Sequence, residues 1–172
     1  MVIKRPELGY SRKYLDFGSG FYLTNLRNQA VYWAKRVCIE KGGNPCVSMY
    51  ELDTNDLTGH TFKGISKPWI DCILANRVNL DSIDKSMRRN LISTLRKYAK
   101  LDYIEGEVAD DIVYSAIMVF CEMLIDARSQ RAIDLVYELF ATRIRYKNKN
   151  HQICLRTNLA LSKLKWLKGV RL

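Results

Sequence analysis

The stretch "LDFGSGFYLT" (residues 15–24) carries two glycines, Gly18 and Gly20, in an otherwise largely apolar segment. It reads as a strand. Glycine inside a strand weakens it and often marks a close approach of backbone or ligand. The first question the chain poses is therefore what approaches the backbone at Gly18 and Gly20. The segment that follows, residues 25–41, has helical spacing, with Leu26, Ala30, Trp33, Ala34 and Val37 on one face and Gly42-Gly43 as its stop.

Farther along, "CVSMYEL" alternates and predicts a strand, and "HTFKGI" a short one. Ser66 and Pro68 open a short helix that carries Trp69, Ile73 and Leu74, since proline is tolerated in a first turn. Residues 81–99 form a basic amphipathic helix with Met87, Leu91, Leu95 and Tyr98 on one side. "DYIEG" is a short strand. Residues 111–125 and 130–141 read as helices joined at "DARS". "HQICLRT" is a late strand, and "LALSKLKWL" is a short helix, a strand, or one then the other. Strands and helices are interspersed without regular alternation, which predicts an α+β domain rather than a doubly wound sheet.

The 172 residues, 48% hydrophobic and 27% charged, suit one domain over residues 1–172 with a real core. No apolar run approaches the roughly 18 residues that span a bilayer, and the N-terminus has no signal-peptide pattern. The expectation is a cytoplasmic protein with no membrane contact. Cys38, Cys46, Cys72, Cys121 and Cys154 are odd in number and mostly set in apolar runs, which suits reduced, buried, non-catalytic thiols. No cysteine pair has metal-ligand spacing, and His60 and His151 are far apart, so no metal site is expected.

The net charge of +10 is unevenly spread. No acidic residue follows Glu138, while Arg143, Arg145, Lys147, Lys149, Arg156, Lys163, Lys165, Lys168 and Arg171 do. A second block, Lys85, Arg88, Arg89, Arg96, Lys97 and Lys100, has no acid between Asp84 and Asp102. Such a field attracts nucleic acid, a phosphate-rich cofactor or an acidic partner, or is a solvated basic face.

Extended to "LDFGSGFYLTNLRNQAVYWA", the opening stretch resembles the ADP-ribosyltransferase superfamily. The likeness is to the branch with a His-Tyr-Glu triad that includes the poly(ADP-ribose) polymerase and diphtheria-toxin catalytic domains. There a Phe-Gly-x-Gly-x-Tyr strand runs into a helix, and a second aromatic follows after ten intervening residues, as Trp33 follows Tyr22 here. Through "QAVYWAKRV", "WIDCILANR", "EVADD" and "LALSKLKWL" the chain is similar, over most of its length, to a prokaryotic branch classed as a domain of unknown function. The resemblance implies a mixed sheet core with peripheral helices, residues 81–100 being a basic helical insertion. It also implies NAD as substrate, its cationic nicotinamide held between Tyr22 and Trp33. Gly18 and Gly20 then let the backbone run close to the ligand, and Thr24 lies at the same strand end. Arg77 either holds the pyrophosphate or caps its helix C-terminus.

Two departures bear on activity. The family's opening strand carries a His-Gly pair, whereas this chain begins at "MVIKRPEL", similar to the segment after that strand. A misplaced start, a truncation and a degenerate relative each account for this. Losing one such hydrogen-bonding group costs about 1–3 kcal/mol. In addition, the family's catalytic Glu falls at Gln152 in "NHQICLRT". A glutamine can hold a ribose hydroxyl but accepts no proton, so general-base help is lost. Single transfer survives this, because an oxocarbenium-like state needs positioning and charge stabilisation. Glu105 and Glu107, flanking Gly106, are reserve carboxylates. Asp110-Asp111 caps the following helix, and the aromatic-basic mixtures at 98–100 and 146–149 offer base-stacking surfaces.

The resemblance implies a mono-ADP-ribosyltransferase acting on a protein or nucleic acid, of the kind that often serves as a toxin or conflict-system effector beside a small neutralising partner protein. The alternatives are a degenerate fold that binds nucleic acid or protein through its basic surface, and an NAD glycohydrolase with water as acceptor.

Overall fold

The computed structural model of the chain describes residues 2–10, 14–83, 85–110, 113–117, 119, 131, 134–135, 137–138 and 150–172. Its architecture is α+β. A four-stranded sheet takes the order β1 (Phe21–Leu23), β5 (His151–Leu155), β4 (Tyr103–Glu107), β3 (Gly59–Thr61). Only the β3–β4 pair is parallel; β4–β5 and β1–β5 are antiparallel. A two-stranded antiparallel sheet joins β2 (Cys46–Leu52) to β6 (Leu164–Arg171), with a register shift between Met49 and Tyr50. Phe21 and Tyr50 meet edge to face at 5.9 Å and tie the two sheets together.

The core lies between one face of the larger sheet and α2 (Lys67–Arg77). Alternation along the strands sends Ile104, Gly106, Gln152 and Cys154 to that face. On α2, Trp69, Ile70, Cys72, Ile73, Leu74 and Ala75 are all buried, and burying an isoleucine contributes about 1.5–3 kcal/mol. Trp69 also donates its Nε1–H to the Glu107 carbonyl at 3.1 Å, which sets α2 against β4. Pro68 sits in the first turn of α2, as the sequence predicts. Packed against α2 lies α3 (Lys85–Tyr98). It buries Leu91 and Tyr98, with Met87 and Leu95 packed beside them, and it follows a 3-10 turn at Leu80–Ser82. The basic segment is thus a core-forming helix as well as a surface one.

Several boundaries move. The strand expected over residues 15–24 shrinks to Phe21–Leu23. Residues 15–20 turn instead, with Gly18 at φ +79° and its N–H bonded to the Leu15 carbonyl at 3.0 Å. The first helix, α1 (Arg27–Lys41), ends where Gly42 takes a positive φ and donates to the Cys38 carbonyl. Its half-buried residues include Ala30, Ala34 and Cys38, whereas Leu26, Trp33 and Val37, expected to face inward, are exposed. "LALSKLKWL" resolves into α4 (Asn158–Ser162), capped by Thr157 Oγ1, followed by β6. Most of 111–125 and 130–141 lies outside the described residues, though 113–117 are helical. Among the described residues no helix is long and apolar enough to cross a membrane.

Candidate functional site

Asp16, in the turn before the first glycine, is the centre of a buried polar network. Its Oδ1 accepts from Arg77 Nη1 at 3.0 Å, and its Oδ2 accepts from Gln152 Nε2 at 2.6 Å and from the Ala109 N–H at 2.8 Å. Arg77 also donates to the Ala109 carbonyl at 2.7 Å and lies 4.1 Å over the Tyr114 ring. Gln152 donates a second bond to the Glu107 carbonyl. Burial pushes the Asp16 carboxyl above the usual carboxylate range, while the Ala109 N–H, the Gln152 amide and Arg77 pull against it. Four remote segments are joined at this one carboxylate: the glycine turn, the end of α2, the exit of β4 and β5.

Arg77 is therefore neither an exposed pyrophosphate ligand nor a cap on the α2 carbonyls; it is the cation of an interior ion pair. Gln152 sits on the core face with its amide committed. Tyr22 faces the same side. Its hydroxyl accepts from the Phe17 N–H at 3.0 Å and donates to the Gly18 carbonyl at 2.7 Å, stapling the turn. Burial pushes its phenol far above its ordinary pKa. Thr24 Oγ1 accepts from the Leu26 N–H at 3.1 Å at the start of α1.

The two glycines are explained locally. A Cβ on Gly18 would lie 2.7 Å from Asn76 Oδ1. One on Gly20 would lie 2.4 Å from Cys154 Sγ and 2.5 Å from the Leu155 carbonyl oxygen. At these two positions the close approach expected of a ligand is made by α2 and β5, so the chain's own packing requires both glycines.

Trp33 lies elsewhere. With Asn28, Gln29, Tyr32 and Arg36 from α1, and Val108, Asp110 and Asn150 from the strand ends, it lines a cleft of about 440 Å³. Trp33 is 44% exposed, and its ring meets Tyr32 edge to face at 6.3 Å and carries Arg36 at 5.1 Å. Gln29 holds α1 onto β5 through the backbone of His151, donating to its carbonyl and accepting its N–H, each at 2.9 Å. Asp110 accepts from the Val113 N–H at 2.9 Å, an N-cap to the helical residues 113–117. Asp111 lies outside the described residues. Trp33 and the start of the strand bearing Gln152 thus border one cleft, whereas Tyr22 is not among the residues that line it.

The two reserve carboxylates, Glu105 and Glu107, lie with His151 on the opposite face of β4 and β5 from Gln152, a partner for them that the sequence did not single out. His151 Nε2 is 2.9 Å from Glu105 Oε1, and Glu105 Oε2 accepts from Thr61 Oγ1 at 3.0 Å. Glu107 stands directly across the ladder from His151, its carboxyl raised by burial and lowered by His151. A histidine beside a carboxylate is the standard means of moving a proton. The cross-strand register, not the sequence, creates this pair.

Among the described residues Cys38, Cys46, Cys72 and Cys154 are free thiols, and no group of three His, Cys, Asp or Glu is arranged to hold a metal. Burial pushes the Cys72 thiol up to about 12 and that of Cys154 to about 11. Cys121 lies outside the described residues.

One protein family model, described as protein of unknown function (DUF3990), matches residues 1–166. The chain belongs to that family. The match takes in the glycine turn, α1 with its cleft, the Asp16 network and the start of β6, so in this DUF3990 chain both sites fall within the family region. No curated protein and no solved structure matches it.

Proposed function

We propose that this DUF3990 domain is an ADP-ribosyltransferase-like protein that holds NAD in the cleft beside Trp33 and transfers one ADP-ribose to a macromolecule. The observation that carries the reading is the make-up of that cleft. It offers an exposed aromatic face, a cation at Arg36, an anion at Asp110 and side-chain amides at Asn28 and Asn150. One charge of each sign beside a stacking surface matches a ligand with a cationic ring and an anionic pyrophosphate. The size falls in the range of small-molecule sites. The resemblance in residues 15–33 supplies the chemical class, and the cleft adjoins the start of β5, where the family's glutamate position falls.

In this reading Trp33 positions the ring and Arg36 offsets phosphate charge. Gln152, committed to Asp16, takes no proton. Deprotonation of an acceptor falls to the His151–Glu105 pair or to the acceptor itself, and polymer formation is not expected. Calorimetric titration of NAD into wild type and Trp33→Ala, with nicotinamide release followed chromatographically, tests this. Weak binding that Trp33→Ala reduces about 3- to 30-fold supports the site. No heat at several millimolar NAD refutes it.

A second reading is favoured by one specific observation. Asp16, Arg77, Gln152 and the Tyr22 hydroxyl, the polar groups of the resembling segments, all serve the interior of the fold. A degenerate domain that acts by binding alone would be built this way. Binding of NAD without nicotinamide release, or no binding at all, assigns the protein to this reading.

A further inference from the structure

The trough along α3 is absorbed by neither reading of the NAD cleft. Lys85, Arg88, Arg89, Ile92, Ser93 and Arg96 line about 610 Å³ of open groove on the exposed side of the helix. With 3.6 residues per turn, these six positions fall within a sector of about 140°, whose edge at Arg88 lies about 60° from Leu91 on the buried side. From Lys85 to Arg96 the stripe runs about 16 Å at 1.5 Å per residue. Arg88 pairs with Asp81 at 2.8 Å in the open, a weak restraint. Lys85, Arg89 and Arg96 have no ion-pair partner among the described residues.

We propose that this stripe is a docking surface for the phosphate backbone of double-stranded nucleic acid. Three of its four cations are arginines, whose planar forks bind phosphate oxygens in pairs, and Ser93 adds a hydroxyl donor. The segment between Asp84 and Asp102 contains no carboxylate to oppose a polyanion. The choice of partner follows from what the trough lacks. Tyr98, which the sequence offers as a stacking residue, is 5% exposed and packed between Phe62 and His60, so it cannot receive an unpaired base. Single strands are gripped by exposed aromatics, and protein interfaces by buried aromatic and apolar anchors. The trough has only the half-buried Ile92. Cations along one helix face without stacking rings fit a duplex held by its backbone, without reading of bases.

The test is fluorescence anisotropy with a labelled duplex of about one and a half turns, its separated strand, and a polyglutamate peptide, across a salt series. The proteins are wild type, Arg89→Gln/Arg96→Gln, and Lys35→Gln/Lys168→Gln, the last making the same charge change on exposed sites elsewhere. The expected result is duplex binding with a log–log salt slope of about −3 to −4, duplex favoured over single strand. The arginine variant should bind at least tenfold more weakly, with the slope reduced by about 2, and the lysine variant within twofold of wild type. Circular dichroism and a denaturant midpoint confirm folding. Equal losses in both variants mean attraction by net charge alone and overturn the proposal. So does undiminished binding in the arginine variant. Tighter binding of polyglutamate than of duplex would assign the face to an acidic protein instead, and no binding to any probe would leave it a solvated face. Because α3 does not line the Trp33 cleft, none of these outcomes bears on NAD.

Discussion

Replacing Gln152 by glutamate, the residue the transferase resemblance places there, is expected to destabilise the protein. Gln152 Nε2 lies 2.6 Å from Asp16 Oδ2 and 3.2 Å from the Glu107 carbonyl oxygen, with both residues of the side-chain pair buried. Gln152→Glu removes both donors and sets a second carboxyl against the first. Two buried carboxyls at such a distance share one proton and titrate as a pair. The folded state then binds a proton that the unfolded chain, with a glutamate near 4.3, releases. A pair value raised by about two to three units costs roughly 3–4 kcal/mol at pH 7, at 1.36 kcal/mol per unit. The lost hydrogen bond to the carbonyl adds about 1 kcal/mol. Between the unfolded and the pair values the native state holds more protons, so the variant's stability falls as pH rises and recovers toward pH 5. Urea unfolding followed by tryptophan fluorescence from pH 5 to 8 reads this directly. The deficit relative to wild type should grow by about 1.4 kcal/mol per pH unit until it levels off. Asp16→Asn in the same background, which restores a donor between the two side chains, should recover part of it in a double-mutant cycle. A deficit below 1 kcal/mol at pH 7, unchanged with pH, would show that the Asp16 network is not the buried junction described.

Further outcomes test other parts of the fold. Gly20→Ala, whose Cβ meets Cys154 Sγ at 2.4 Å and a backbone oxygen at 2.5 Å, should cost about 1–3 kcal/mol in urea, whereas Gly9→Ala, with nothing within 4 Å, should leave the midpoint unchanged. Tyr22→Phe should lose about 1–2 kcal/mol by freeing the Phe17 N–H and the Gly18 carbonyl; an unchanged midpoint would contradict the staple. Bonds from Thr157 Oγ1 and the Thr58 N–H hold Asp102 below the usual carboxylate range. Its stabilisation is therefore present above the unfolded value near 4 and lost as pH falls through the folded one, so Asp102→Asn should flatten the acid limb of stability measured from pH 5 to 2.5. In thiol titration at pH 8, Cys72 and Cys154 should stay unreactive until denaturant is added, while Cys38 and Cys46 react in the native protein.

The sequence determined what is local. The alternation of "CVSMYEL" sets β2 at Cys46–Leu52, Pro68 marks the first turn of α2, and Gly42 ends α1, because periodicity, a fixed φ and a permitted positive φ act within a few residues. It also carries, around Tyr22 and Trp33, the two segments of the family resemblance. It did not show that these segments face different ways. Of the expected α1 face, the small Ala30 and Ala34 are half-buried, together with Cys38, while the bulkier Leu26, Trp33 and Val37 stay exposed. Tertiary structure alone decided the rest. Strands β2 and β6 pair across more than a hundred residues, and β3 lies parallel to β4 rather than in a hairpin with β2. Asp16, one charged residue in an apolar run, gained its meaning only when Arg77, Ala109 and Gln152 were brought to it. A buried carboxylate must be answered by donors, but nothing in the spacing along the chain says where those donors come from. Their positions are fixed by strand register and helix packing, which are properties of the assembled fold.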